Sequence, residues 1–189
     1  MIVLWFLDQS GFAPTLPTGY GWGRLGQRLV VPYEAPQGRR VNAVGALAPS
    51  GPAGARLVFE TRRTAEGRYD AAAHLAFVRR LAGLPEGATT VVRRARPCVI
   101  VLDNYSVHHS QAVKDALPAL AAAGVAFCYL TPYSPELNPI EPVWRQVKYH
   151  DLPDRSHPTD TALQAAVEAA LTDRAQQLAK TTNELPQPA

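Results

Sequence analysis

Residues 2–7 (IVLWFL) form an unbroken apolar run, the pattern of a central strand buried on both faces, and the run stops at Asp8. A Gly- and Pro-rich stretch follows as far as Gly23. Residues 28–33 and 41–47 then read as second and third strands, with Gly38 between them and Pro49-Ser50-Gly51 closing the latter; residues 58–61 add a short further strand. Residues 70–83 predict a helix, because Leu75, Val78 and Leu81 recur at helical spacing behind Asp70, a suitable N-cap. CVIVL (98–102) is a second buried run and ends at Asp103. The pattern continues with a helix over 108–122 stopped by Gly124, a strand over 125–130, and a helix over 139–150. A last amphipathic helix covers 159–180, carried by Leu163, Val167 and Leu171, and the tail NELPQPA frays. Three strands, then helix, strand, helix, strand and helix, counted without the short 58–61 segment, predict an α/β chain with a mixed five-stranded sheet flanked by helices.

Composition changes this picture little. Apolar residues make up 47% of the 189 and charged residues 19%, which suits a folded domain with a sizeable core and excludes global disorder. Lys and Arg number 19 against 16 acids, a net charge of only +3, so the placement of charge matters more than its sum. Arginines come in pairs, at Arg39-Arg40, Arg62-Arg63, Arg79-Arg80 and Arg93-Arg94 with Arg96. Any one pair reads as solvated surface; four in a small domain modestly favour a polyanionic partner. Cys98 and Cys128 sit in apolar runs without a paired CxxC spacing, so they are expected as buried thiols of a reducing compartment. His150 and His157 have no partner pattern and are expected at the surface. The opening MIVLWFL lacks a basic flank and no apolar stretch approaches bilayer length, so no signal peptide and no membrane partner are expected.

The candidate chemistry lies in three acids. Two buried strands each deliver an aspartate, Asp8 and Asp103, at the edge where α/β sheets bind ligands. As parallel neighbours they would stand about 4.8 Å apart along the backbone, and paired carboxylates need a cation or a proton between them. Hard divalent ions such as Mg2+ or Mn2+ prefer such oxygen ligands. Taken singly, each aspartate equally suits a turn after a strand. Glu141 also has a plain reading, because Asn138-Pro139-Ile140-Glu141 fits a helix cap with Pro at the first position. Against that, Ile140, Val143, Trp144 and Val147 form one apolar stripe, and Glu141, Arg145 and Lys148 form another stripe suited to DNA phosphates.

Three segments carry a resemblance. Asp8-Gln9-Ser10-Gly11-Phe12, VLDNYSVHHS (101–110) and LTPYSPELNPIEPVW (130–144) resemble, in order, the catalytic blocks of mariner-superfamily DDE transposases, in particular the bacterial insertion-sequence branch. The ten residues Pro132 to Glu141 are the most specific of them, and Gly21-Trp22-Gly23 through Gln27 resembles an element of the same branch. The resemblance implies a ribonuclease-H-like DDE catalytic domain over 1–155, with 156–189 as a C-terminal helix and tail. It implies that Asp8, Asp103 and Glu141 are catalytic and hold two divalent metal ions, Mg2+ or Mn2+. Gln9 stands where the family often has glutamate, and the interval from Asp103 to Glu141 is slightly long.

The implied activity is two-metal phosphoryl transfer: nicking of transposon ends, then joining of the freed 3′-hydroxyl to target DNA at TA dinucleotides, with no covalent protein–DNA intermediate. Asn104, His108, Tyr133, Arg145 and Lys148 are the candidate DNA contacts; Asn104 and His108 would touch phosphate or support Asp103, with a turn-forming Asn and a helix-start His as equally weighted plain readings, while Trp22 is expected to pack. The implied partners are double-stranded DNA, as transposon ends and target, and a second copy in a homodimer on DNA. Complete relatives carry helix-turn-helix domains ahead of the catalytic region, so a separate helix-turn-helix polypeptide is a further expected partner, with a bacterial cytoplasmic, nucleoid-associated location. Two other readings stand beside this one: an idle or regulatory remnant that binds DNA or a full-length transposase, and a stand-alone ribonuclease-H-like nuclease. The proline-rich third block argues against the last.

Overall fold

The computed structural model describes residues 2–14, 23–28, 40–49, 54–85, 93–152 and 157–184. The expected strand over 28–33, Gly38, Arg39, Trp22 and the extreme tail lie outside them, apart from Arg28. Five strands, β1 (Val3–Phe12), β2 (Val41–Ala48), β3 (Arg56–Arg63), β4 (Cys98–Leu102) and β5 (Val125–Tyr129), form one sheet in the order β3-β2-β1-β4-β5. β2 pairs antiparallel with β1 and β3, whereas β4 runs parallel to β1 and β5. A mixed five-stranded sheet is thus observed as expected, but its third strand is the segment around 58–61, longer than expected, while the strand expected over 28–33 lies outside the described residues apart from Arg28.

β1 does not end at Asp8. It continues to Phe12 because β2 pairs with it along its second half, from Phe6 opposite Leu47 to Phe12 opposite Val41. Antiparallel pairing with β2 keeps Asp8, Gln9 and Ser10 extended despite their polar side chains. Alternation along the strands splits the core in two. Trp5, Leu7, Val44, Ala46, Ile100 and Leu102 face α1 (Ala71–Ala82) and α2 (Gln111–Ala122) through Phe77, Val78, Leu81 and Leu120. Phe12, Val41, Ala43 and Leu47 face α3 (Glu141–Gln146) and α4 (Asp160–Glu184) through Val143, Trp144, Leu163, Val167 and Leu171. The sheet is therefore covered on both faces, as its near-continuous apolar strands require.

Several boundaries have local causes. Asp70 caps α1 by accepting the Ala73 amide at 2.9 Å, and Gly83 ends it in the left-handed region with φ 64°. The helix expected over 108–122 is divided: a 3-10 turn, Ser106–His109, is separated from α2 by extended Ser110. α3 is shorter than predicted and passes into a π turn, Val147–Asp151, where the Leu152 amide donates to the Val147 carbonyl at 3.0 Å. Asp151 at that turn is held by Arg174 of α4 at 2.8 Å.

Two burial expectations are corrected. Cys98 is buried but Cys128 is exposed, because it points to the sheet face whose helices sit over β2 and β3 and leave β5 uncovered. His157 is buried, its amide donating to the Pro14 carbonyl at 3.2 Å, whereas His150 is exposed as expected. Among the described residues no helix is long and apolar enough to cross a membrane.

Candidate active site

Asp8 and Asp103 meet through strand register. β1 and β4 run parallel from Val3 opposite Cys98 to Phe6 opposite Val101. The same offset carries Asp8 onto Asp103, one step beyond Leu102 and past the end of β4. Alternation puts both aspartates on the α3 face of the sheet. Glu141, the first residue of α3, lines the same cleft as the two aspartates, a space of about 420 Å³ that also borders Asn104, Tyr105, Tyr133 and Asn138. A smaller hollow of about 190 Å³ lies against Asp8, Gln9, Asp103 and Tyr105.

The environments of the two aspartates differ. The Trp144 indole N–H donates to Asp8 Oδ2 at 3.0 Å. This reach depends on Gly45, which pairs with Asp8 across β1 and β2. A Cβ at Gly45 would stand 2.6 Å from Cη2 of Trp144, so the indole fills the volume a side chain would need. Burial above all, with the charges of Glu141 and Asp103 added, pushes the Asp8 carboxyl up to about 7 against the opposing hydrogen bonds from Gln9 and Trp144. Asp103 has half of its side chain exposed and is held below the usual carboxylate range, first by the His108 hydrogen bond. His108 Nδ1 lies 3.1 Å from Asp103 Oδ1 and 3.1 Å from the Asp103 carbonyl oxygen. Both are acceptors, so Nδ1 carries the hydrogen. The Tyr105 amide adds a bond to Asp103 Oδ1 at 3.1 Å.

The loops that carry Asp103 and Glu141 are tied to the sheet. Asn104 donates to the Leu130 carbonyl at 2.6 Å and Tyr129 Oη donates to the His108 carbonyl at 3.1 Å, while His109 stacks on Tyr129 at 4.5 Å. Asn138 is buried and its side-chain amide points at the Leu7 carbonyl at 3.5 Å, beside Asp8. Its Oδ1 also accepts from the Ile140 amide at 3.4 Å, as a cap would, but the helix starts at Glu141 and not at Pro139, so the capping arrangement read from Asn138 to Glu141 forms only in part. Behind Asp103, His108 packs on His74 with ring centroids 4.6 Å apart, and Tyr69 Oη lies 3.3 Å from His74 Nδ1.

The candidate contact residues separate into two groups. Asn104, Tyr133 and Arg145 are exposed, and Asn104 and Tyr133 line the cleft. Lys148 is half-buried, with Nζ 5.4 Å from the Phe12 ring centroid, and burial lowers its ammonium while Glu141 and Asp8 act to raise it. His108 is 1% exposed and cannot reach DNA in this fold; of its two readings, the one that supports Asp103 is the one its position allows. Two of the paired arginines are occupied within the chain, Arg63 with Glu66 at 2.6 Å and Arg80 with Glu60 at 2.9 Å. Sequence reasoning missed Trp144, filed under the apolar stripe, and Gly45, although a glycine inside a strand signals a close approach. It also missed His74, which a helical stripe of apolar residues hides.

The donor set suits a hard cation. Three carboxylates border one cleft, and Asp8 is raised toward protonation by burial first and by the charges of the other two. Among the described residues no three such side chains are drawn together closely enough to surround one ion.

The sequence profile of a family described as DDE superfamily endonuclease matches residues 3–164. The chain belongs to this family. The DDE chain shares its fold with solved mariner structures at low identity. The Mos1 strand transfer complex is 13% identical with a TM-score of 0.57, over 97% of this chain and 56% of that one. The mariner Mos1 paired end complex with Mg is 16% identical with a TM-score of 0.56, over 98% and 57%. A Mos1 mariner paired end complex with Mn is 12% identical with a TM-score of 0.54, over 97% and 56%. At such identities the likeness speaks for the ribonuclease-H-like fold alone, and this DDE chain spans just over half the length of those proteins. No match was found among curated proteins.

Proposed function

We propose that this DDE endonuclease domain is the catalytic core of a cut-and-paste DNA transposase of the mariner superfamily, in its bacterial insertion-sequence branch. The observation that carries the proposal is the pair of register-matched aspartates facing Glu141 across one cleft. Asp8, Asp103 and Glu141 are the side chains that would hold two divalent ions, Mg2+ or Mn2+. Bound there, such ions supply Lewis-acid polarisation of a phosphodiester and neutralise charge on the attacking and leaving oxygens.

The chain's own residues supply orientation and charge. Trp144 anchors the Asp8 carboxyl through Oδ2. His108 fixes Asp103 through two oxygens and keeps its carboxylate ionised. Arg145, Lys148 and Asn104 meet the sugar–phosphate backbone, and Tyr133 meets the nucleotide at the cleft mouth. The reaction is hydrolysis at a transposon end followed by attack of the freed 3′-hydroxyl on target DNA. The substrates are double-stranded transposon ends and a target duplex, engaged as a homodimer with end recognition from a helix-turn-helix unit.

The test is incubation of the chain with pre-nicked transposon-end DNA and Mn2+, alongside Asp103→Ala and with a helix-turn-helix partner supplied. Metal-dependent cleavage or joining that disappears in the variant is expected. Absence of both, with DNA binding intact, would leave an idle or regulatory remnant as the better account.

A further inference from the structure

The loop between β5 and α3 holds one residue that the fold does not explain. Tyr133 has φ 58° and is the one non-glycine residue with positive φ among the described residues. Bulky L residues rarely enter this left-handed region, and such backbone is found where surrounding structure imposes it, often at functional sites. Glycine or asparagine would serve the turn at lower cost. The side chain gains nothing from the chain in return. Its exposure is 101%, and no ring contact or hydrogen bond to it occurs among the described residues. Tyr105 makes the contrast, because it lines the same cleft at 49% exposure with its ring packed edge-on against His108 at 6.0 Å.

The loop presents this ring from a stiff base. Pro132 and Pro135 restrict the backbone on either side. Thr131 Oγ1 donates to Ser134 Oγ at 2.8 Å, closing the turn beneath Tyr133. Tyr133 lines the cleft that also holds Asp8, Asp103 and Glu141. A bare aromatic face beside a phosphodiester site suits the face of a nucleobase, since stacking is tolerant of sequence and needs no hydrogen-bond code. Within a paired duplex the base faces are covered by their neighbours, so a free face exists only where a nucleotide has left the stack.

We infer that Tyr133 is a stacking platform for one unpaired nucleobase next to the scissile phosphate, so the DNA this site engages is distorted at the cleavage point. The inference rests on the reading of the cleft as a DNA-processing site and adds the form of its substrate. It predicts discrimination between two duplexes of identical sequence length, one fully paired and one with a single unpaired nucleotide beside a nick.

The experiment places 2-aminopurine at that nucleotide and follows binding by anisotropy and stacking by fluorescence, without added metal. The wild-type chain is expected to bind the unpaired form roughly tenfold more tightly and to quench the probe. Tyr133→Phe keeps both effects. Tyr133→Ala loses both the preference for the unpaired form and the quenching; since the side chain is fully exposed, a matching melting curve confirms that the fold is intact. Equal binding of the two duplexes by the wild type, or quenching that survives Tyr133→Ala, overturns the platform and leaves the DNA-processing reading standing. Failure to bind either duplex overturns both.

Discussion

Asp8 and Asp103 occupy matching positions in neighbouring parallel strands, yet their surroundings drive them in opposite directions. Asp8 lies mid-strand, covered by the Trp144 indole over Gly45, and burial with two nearby acids pushes it up to about 7. Asp103 lies one step past the end of β4, open to solvent on one side and gripped by His108 on the other, which holds it low. The difference comes from where each strand stops. β2 continues the ladder past Asp8 and gives α3 a surface to pack on, whereas β4 ends and its chain turns back through Tyr105 and His108. The surroundings thus favour the charged form of Asp103 and the neutral form of Asp8. A pair so divided avoids the repulsion of two bare carboxylates.

The most severe way to break the comparison is to remove the charged member. Asp103→Ala is expected to lower DNA cleavage by at least the roughly hundredfold to thousandfold that loss of one preorganised electrostatic group costs. Single-turnover cleavage with Mn2+ measures it, and a variant within threefold of wild type would refute the assignment. A milder cut removes only the grip. His108→Asn keeps a donor near Nδ1 but loses the imidazole packing on His74, and outer residues of this kind are worth about 10- to 100-fold in metal affinity. Titration of cleavage with Mn2+ should show the midpoint moving to higher metal while the plateau rate changes less. A fall in the plateau with an unmoved midpoint would place His108 in folding alone.

Much of this architecture was legible because apolar runs and their breaks are local signals. IVLWFL and CVIVL gave the two strands and the candidate acids at their ends, and Leu163, Val167 and Leu171 gave the buried stripe of α4. What stayed hidden depends on partners distant in sequence. The continuation of β1 through Asp8 to Phe12 requires β2, which a polar DQS segment does not announce. Trp144 was legible as core but not as a donor to Asp8, since that bond joins residues far apart in the chain. Cys128 lies in an apolar run like that of Cys98, but the run cannot say which edge of the sheet a helix will leave open.

A third test acts on the Asp8 side. Gly45→Ala places a methyl group where the Trp144 ring now sits, 2.6 Å from its nearest atom, and overpacking of this kind costs about 1–3 kcal/mol. Urea unfolding should show that loss, and cleavage should fall with it because the indole moves off Asp8. The double variant Gly45→Ala with Trp144→Phe separates the two effects: the smaller ring is expected to recover part of the stability but not the Asp8 hydrogen bond. Equal recovery of stability and cleavage would show that the Trp144 N–H is dispensable.

The smallest effect belongs to the layer behind Asp103. His74 is fully buried and burial, with His108 beside it, lowers its imidazole from 6.5 to about 3. The folded protein therefore keeps His74 neutral while the unfolded chain protonates it below 6.5, so acid favours unfolding. The contribution is complete above 6.5 and is lost progressively as pH falls toward 3. One pH unit below 6.5 corresponds to about 1.4 kcal/mol of lost stability. Denaturant unfolding at pH 7.5 and 5.5 measures the change, and His74→Phe should reduce the difference between the two by about that amount. The acids at the cleft are untouched in this variant, so their own share of the pH dependence remains in both proteins and cancels. An unchanged pH dependence in His74→Phe would mean that His74 meets water or a proton in the folded state. The dry support behind Asp103 would then be lost, and with it the structural reason for the contrast with Asp8.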